Sequence, residues 1–259
     1  MTLFLHEMRR ARLSLLIWTA VISFMLALTV FIYPQMAQQM DEMSKAFSEM
    51  GDFSKAFGMD SLNFGELTDY FCVECGNVLG LGGAIFAAIA GASLAKEERE
   101  HTAEYLLSHP VSRLNVAGSK LCAVWCQIVI LNGAVAAVTS LSILAIGEKA
   151  DAGIIALSFV AYLILQLEIA AIAFALSSFA VRGGLAAGIG IVFGLYFLNI
   201  LANITEDAAF LKNLTPFALA DGAGIRESGG LEGKYIAVSA FVVIAAVTLA
   251  LLRYRKKDL

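Results

Sequence analysis

Six long apolar runs alternate with shorter polar segments along the chain. An α-helix rises about 1.5 Å per residue, so a run of about 20 apolar residues spans a hydrocarbon layer of about 30 Å. The pattern therefore predicts an all-α, polytopic membrane protein whose single transmembrane domain covers residues 1–259. The predicted spans are residues 14–34, 71–95, 114–146, 153–181, 184–204 and 235–252.

Three polar segments show their own order. Residues 1–13 place apolar side chains on one face and arginines on the other, which predicts a helix lying in the membrane interface. Residues 35–70 carry Met and Phe at spacings of 4, 3, 4 and 3 (Met36, Met40, Met43, Phe47 and Met50), which predicts an amphipathic helix. That stripe is either an adaptable surface for an apolar ligand or a packing face. Residues 205–234 mix apolar patches with Gly and Pro, which predicts a re-entrant segment of short interfacial helices.

The most strongly charged segment between two spans covers residues 96–113, KEEREHTAEYLLSHPVSR. Thr102, Tyr105 and Leu106 belong to an apolar stripe, while Glu100 and Glu104 share a polar face at i and i+4. Pro110 ends the predicted helix because it lacks an N–H. The segment is either a rigid helix that passes force from a soluble partner into the bilayer or a solvated loop with one helical turn.

Composition agrees with the pattern, since 59% of the residues are hydrophobic and 15% are charged, with a mean hydropathy of +0.77. Soluble domains are about 45–50% apolar and about 25% charged. The net charge of −4 says less than its distribution. Twelve Lys and Arg residues lie in the predicted inner segments and six in the outer ones. The positive-inside bias therefore predicts that both termini and the 96–113 segment are cytoplasmic in a multi-pass plasma-membrane protein.

Glu168 is the one acid well inside an apolar run. An ionisable group there is costly and must face protein or a wet cavity. Glu168 is therefore either a proton or substrate relay or a structural acid bonded to a neighbouring span, with Asn132 as the candidate partner.

The cysteines fall in two pairs at opposite ends of adjacent spans, Cys72 with Cys75 and Cys122 with Cys126, so they cannot share one zinc site. The first pair is either buried packing or an outer disulfide or metal pair.

Catalytic motifs are missing from the sequence. There is no G-x-x-x-x-G-K-[ST] nucleotide-binding loop, no H-E-x-x-H metal motif and no G-x-S-x-G nucleophile elbow. The chain is therefore predicted to be no enzyme, to hold no metal or cofactor and to have no nucleic-acid partner.

With these residues in view, the chain resembles the type-2 permease family of ABC exporters, whose ATPase is a separate chain. HEMRRARLSLLIW at residues 6–18 is similar to the interfacial elbow helix of that family. LTPFALAD before the last span and RYRKKDL at the chain end are also typical. The central signature matches at Glu98, Thr102, Glu104, Leu106, Leu107, Ser108, Pro110, Val111, Ser112 and Arg113, whereas His101 replaces the usual Gly.

The resemblance implies a bacterial exporter in which a cytoplasmic ABC ATPase binds ATP and Mg²⁺. That subunit would receive residues 98–113 as the coupling helix, through Glu98, Glu100, Thr102, Glu104, Tyr105, Leu106 and Arg113. A second permease chain, identical or homologous, would complete a pathway lined by spans 1, 2 and 5. The sequence does not specify the substrate; the Met and Phe stripe of residues 35–70 favours an apolar one, such as a hydrophobic peptide or drug, although packing explains the stripe as well.

Two other functions are open on the residues alone. A secondary transporter or channel would use Glu168 and would conduct without an ATPase. A membrane scaffold would carry no flux at all.

Overall fold

A computed structural model describes residues 2–39, 51–56, 62–63, 65–94, 112–179, 184–204 and 206–256. This part of the chain is helical and contains no strand, and six of its helices are long and apolar enough to cross a membrane. The all-α polytopic membrane fold is thereby confirmed. The helices are α1 (Thr2–Ala37), α2 (Asp52–Ala56), α3 (Leu67–Gly91), α4 (Arg113–Ile146), α5 (Ala152–Phe179), α6 (Gly184–Ile204), α7 (Gly222–Ser228) and α8 (Gly233–Lys256). Two 3-10 helices, Glu206–Leu214 and Pro216–Ala220, join α6 to α7.

The lead-in segment and the first span form one continuous helix of 36 residues, α1. No Gly or Pro interrupts the chain between residues 2–13 and the apolar run, so the helix continues through the predicted boundary. Pro34 does not end the helix either. It lies in the last turn of α1, where its missing N–H removes a single backbone hydrogen bond.

Helix α3 begins at Leu67, four residues before the predicted span, and contains a π-helical segment, Gly76–Leu81. Its glycine face packs against α5 rather than facing away from the chain. A Cβ added at Gly91 would lie 2.6 Å from the carbonyl oxygen of Ala170 and 2.9 Å from the Cβ of Ala173. Tyr162 lies over Gly80 in the same way, with its ring 3.0 Å from such a Cβ. The small residues thus allow the two backbones to approach closely.

Helix α5 lies at the centre of the bundle and contacts α3, α4, α6, α8 and the 3-10 helix Pro216–Ala220. The main core gathers large buried side chains from several helices, among them Leu26, Phe71, Ile128, Leu165 and Ile169. By contrast, α1, α6 and α8 expose large apolar side chains on their outer faces (Phe24, Phe31, Phe197 and Phe241). An apolar exterior of this kind belongs in a bilayer, which agrees with a membrane location.

Both described chain ends lie at one end of the bundle, here called the termini end. The start of α1 meets the start of α4 there, and Tyr254 near the end of α8 packs with Ala117, Leu121 and Phe174. The opposite, far end is closed by contacts between the end of α1 and the start of α3, where the Tyr33 hydroxyl donates to the carbonyl of Gly65 at 2.8 Å.

Candidate functional site

The predicted coupling residues Glu98, Glu100, Thr102, Glu104, Tyr105 and Leu106 lie outside the described residues. Arg113 is the first residue of α4. The N-cap is Ser112, whose hydroxyl accepts a hydrogen bond from the backbone N–H of Asn115 at 3.2 Å. A capped start makes α4 helical from its first residues. The coupling segment is therefore followed directly by a helix of 34 residues.

A buried ion pair joins the first turns of α1 to α4 at the termini end. The ammonium of Lys120 donates to Glu7 at 2.8 Å, and the two side chains are 3% and 14% exposed. Lys120 lies seven residues after Arg113, about two helical turns along the same face of α4. Because a charge at so little exposure needs its partner, the pair holds α1 and α4 in a fixed register at this end.

Glu168 is buried on α5, as its position in the sequence required, with 4% of the residue exposed. One of its oxygens has no hydrogen-bond partner among the described residues, and the side chain hydrogen-bonds with Ser239 of α8. Asn132, the neighbour suggested by the sequence, instead donates to Gln166 at 2.7 Å and to the carbonyl of Ile128 at 2.9 Å. Glu168 therefore belongs to the contact between α5 and α8.

Gln166 connects three helices and was not identified from the sequence. Its amide oxygen accepts from Asn132 on α4, and its amide nitrogen donates at 3.4 Å to the carbonyl of Leu79 in the π segment of α3. A Cβ at Gly83 would collide with this amide. A π turn leaves irregular backbone pairing, and such turns recur at functional sites. A run of apolar residues broken by Gln166 was the signal available in the sequence.

All four cysteines are free thiols, and Cys72 and Cys75 are buried. The sulfur of Cys72 lies 3.9 Å from the hydroxyl of Ser158 on α5. These two cysteines are thus packed between α3 and α5 as small side chains.

A polar cleft of about 60 Å³ lies at the far end, between α3, α5, α6, the 3-10 helix Pro216–Ala220 and α7. Its polar lining comes from Asn77, Tyr162, Tyr196, Asn199, Asn203 and Asp221. The side-chain oxygen of Asn199 is buried and has no hydrogen-bond partner in the described chain. Gly76 and Asn77 of the lining belong to the π segment. This cleft was not predicted from the sequence, although Asn199 and Asn203 lie on one face of an apolar run and were a visible signal.

A wider cavity of about 310 Å³ lies beside the cleft and shares Asn203, Asp221 and Ala223 with it. Its other charged lining residues are Lys55, Lys212, Glu227 and Glu232. The three shared residues therefore form part of the wall between the cleft and this cavity, which is here called the vestibule.

The family described as "multidrug efflux system permease Rv1217c, C-terminal domain" matches residues 6–255 of the chain. The chain belongs to this permease family. No curated protein is similar enough to the chain to count as a relative. Membership makes the chain a permease subunit of an efflux transporter, which works in a membrane with other transporter components and is a transport subunit rather than an enzyme.

The far end of this efflux permease is held by an ionic clasp between α7 and the start of α3. Arg226 donates to Glu66 at 2.6 Å and forms an ion pair with Asp69, with 2.7 Å between Nε and Oδ1. The nearby carboxylate of Asp69, followed by that of Glu66, raises the pKa of Arg226 above its usual value. Since α7 follows Asp221 directly, the clasp also fixes the wall between the cleft and the vestibule.

Proposed function

We propose that the chain is the permease subunit of an ATP-driven ABC exporter with the type-2 layout. Two permease chains would form the pathway, and a separate ATPase would bind ATP and Mg²⁺. Membership of a multidrug efflux permease family over residues 6–255 carries the proposal. The missing nucleotide-binding loop supports a second chain as the source of hydrolysis. Drug-like apolar compounds are the substrates that fit this family best.

Residues 98–113 are proposed as the coupling helix that receives the push of the ATPase. Acids such as Glu98 and Glu104 would pair with basic groups of that subunit, and Tyr105 and Leu106 would anchor in its groove. The capped start of α4 supports this role, since a displacement at Arg113 acts on a rigid helix. The Glu7–Lys120 pair would transmit a displacement of α4 to α1.

The termini end is proposed to face the cytoplasm of a bacterial cell, and the far end to face outside. The excess of Lys and Arg in the segments at the termini end supports this orientation through the positive-inside bias.

The second permease chain is proposed to dock on α6. Gly190 and Gly194 have open space where a side chain would be, and Phe193, Phe197 and Leu201 are exposed beside them. The glycine face of α3 does not serve this purpose, because α5 already covers it.

A charge reversal tests the coupling helix. Glu104→Lys is expected to lower ATP-driven transport at least about tenfold, because it puts a like charge against a basic partner surface, and to leave membrane insertion intact. The measurement is substrate efflux in cells that also produce the ATPase. Glu148→Lys is the matched control, since it makes the same charge change at an exposed far-end position and should transport normally. Normal transport by Glu104→Lys and by Tyr105→Ala would contradict the coupling helix.

A secondary transporter or channel is the second candidate, and the buried Glu168 oxygen without a partner in the described chain is what favours it. This alternative requires flux by the chain alone, driven by an ion gradient and abolished by Glu168→Gln. Flux that depends on an ATPase excludes it.

A further inference from the structure

We propose that the far-end cleft binds the positively charged head group of an amphiphilic organic cation, such as a protonated alkylamine, before it leaves through the vestibule. This inference rests on the proposed export function and names the substrate class.

The lining offers oxygen acceptors together with one carboxylate. Amide side chains come from Asn77, Asn199 and Asn203, hydroxyls from Tyr162 and Tyr196, and the carboxylate from Asp221. No Lys or Arg lines the cleft within the described ranges. An ammonium group has three N–H donors and no acceptor, so it matches this set, whereas an anion would face the carboxylate of Asp221.

Two further features favour a cation. The buried oxygen of Asn199, which no described residue bonds, is an acceptor that an ammonium N–H would satisfy. The rings of Tyr196 and Phe217, packed edge to face with centroids 5.3 Å apart, both line the cleft. Aromatic faces attract ammonium groups through their π electrons.

The size of the cleft selects a head group rather than a whole drug. A volume of about 60 Å³ holds a few waters or one ammonium group. The apolar tail would extend from the cleft past apolar residues of its lining such as Leu62 and Ile200. A ligand of this kind therefore has a small charged head and an apolar tail.

The vestibule provides the way out. It shares Asn203, Asp221 and Ala223 with the cleft and is about five times larger. A cation leaving the cleft passes Asp221 and then meets Glu227 and Glu232 in the vestibule. The vestibule lining carries the carboxylates of Asp221, Glu227 and Glu232 against the ammonium groups of Lys55 and Lys212, so a cation leaves along the acidic side that α7 provides, and the clasp of Arg226 on Asp69 holds α7 in place.

Direct binding to the purified permease in lipid nanodiscs, without ATPase, tests the proposal. The probes are radiolabelled decylamine, decanol and decanoate, which share a tail and differ in charge, and protein-free nanodiscs give the lipid background. Saturable binding of decylamine is expected, with decanol and decanoate not exceeding the background. Asp221→Asn is expected to weaken decylamine binding about tenfold or more, since it removes the charge of an ionic hydrogen bond.

The variant replaces the carboxylate of Asp221 with an amide of the same size, so it removes the charge and keeps a side-chain oxygen. Tyr196→Phe retains the ring and removes one hydroxyl, so it gives a second variant with weaker binding expected should Asp221→Asn not fold. Asp207→Asn is the matched control, since it removes an exposed acid that lines neither cavity, and it should bind like the wild type.

Equal binding of the three probes, or wild-type affinity in both Asp221→Asn and Tyr196→Phe, would overturn the proposal. The binding experiment contains no ATPase and measures no transport. The binding result can therefore contradict the cleft proposal while the Glu104→Lys variant still supports ATP coupling. The converse outcome is also possible, so the two proposals are tested independently.

Discussion

At the scale of single residues, a close backbone contact between α3 and α5 depends on a missing side chain. Gly91 of α3 lies against the backbone of Ala170 and the methyl group of Ala173, with no room for a Cβ. Its place in the middle of an apolar run costs some helix propensity, and the close packing of α3 on α5 offsets that cost.

Gly91→Ala is therefore expected to destabilise the permease by about 2 kcal/mol, because the added methyl group forces the two helices apart. The measurement is the apparent free energy of unfolding in detergent micelles. Gly118→Ala is the matched control, since Gly118 is also helical and has open space around it. It should keep or slightly raise stability. Equal stabilities of the two variants would show that α3 and α5 are not in close contact.

Some single residues could be assigned from the sequence and others could not. The burial of Glu168 follows from its position in an apolar run, because an exposed carboxylate in lipid is too costly. Its partner could not be predicted, because Ser239 lies on α8 and tertiary packing determines which helix lies against α5. The role of Gln166 could not be predicted either, because it depends on a π turn in α3 that no local sequence pattern indicates.

At the scale of helices, the apolar runs located α5 and α6 closely. The helices Ala152–Phe179 and Gly184–Ile204 begin and end within two residues of the runs 153–181 and 184–204. Helix α3 starts earlier than its apolar run because Arg226, far along the chain, pairs with the buried Asp69. The charge of Asp69 is typical of a loop in the sequence, but Arg226 neutralises it in the folded chain. Hydrophobic periodicity alone cannot show such a long-range ion pair.

The Glu7–Lys120 pair leads to a prediction about the first turns of α1. Lys120→Met is expected to destabilise the contact between α1 and α4 by about 3 kcal/mol. The substitution removes the ammonium group that pairs with Glu7, whose carboxylate has little access to solvent. Trypsin cleavage at Arg9, Arg10 and Arg12 should become faster, which peptide mapping after limited digestion measures.

The double variant Glu7→Gln, Lys120→Met should return cleavage close to the wild-type rate, since it removes both charges together. Lys149→Met is the control for charge removal, at an exposed position of the far end. Wild-type cleavage of Lys120→Met would mean that the pair does not hold α1 to α4.

At the scale of the whole molecule, the bundle consists of a tight central pair, α3 and α5, surrounded by helices with apolar outer faces. The far-end cleft opens where this pair meets α6, α7 and a 3-10 helix. Six elements, α2 included, bring its residues together, so the candidate residues could be read from the sequence but their assembly into one site could not. The termini end, by contrast, combines the capped start of α4 with the bound start of α1.

This asymmetry suggests a division of work between the two ends. A push at the termini end would act on α4 and α1, while the cleft and vestibule at the far end would release the substrate. We propose that an ATPase on another chain drives transport, and not an ion gradient acting through Glu168.

Reconstitution in sealed proteoliposomes tests this claim most directly. The permease is reconstituted with and without a candidate ABC ATPase subunit. Movement of a labelled amphiphilic drug is measured with ATP, with a non-hydrolysable analogue, and with an imposed ion gradient alone. The account predicts drug movement only with the ATPase and hydrolysable ATP, in wild type and in Glu148→Lys. Drug movement by the permease alone under an ion gradient, lost in Glu168→Gln, would contradict it.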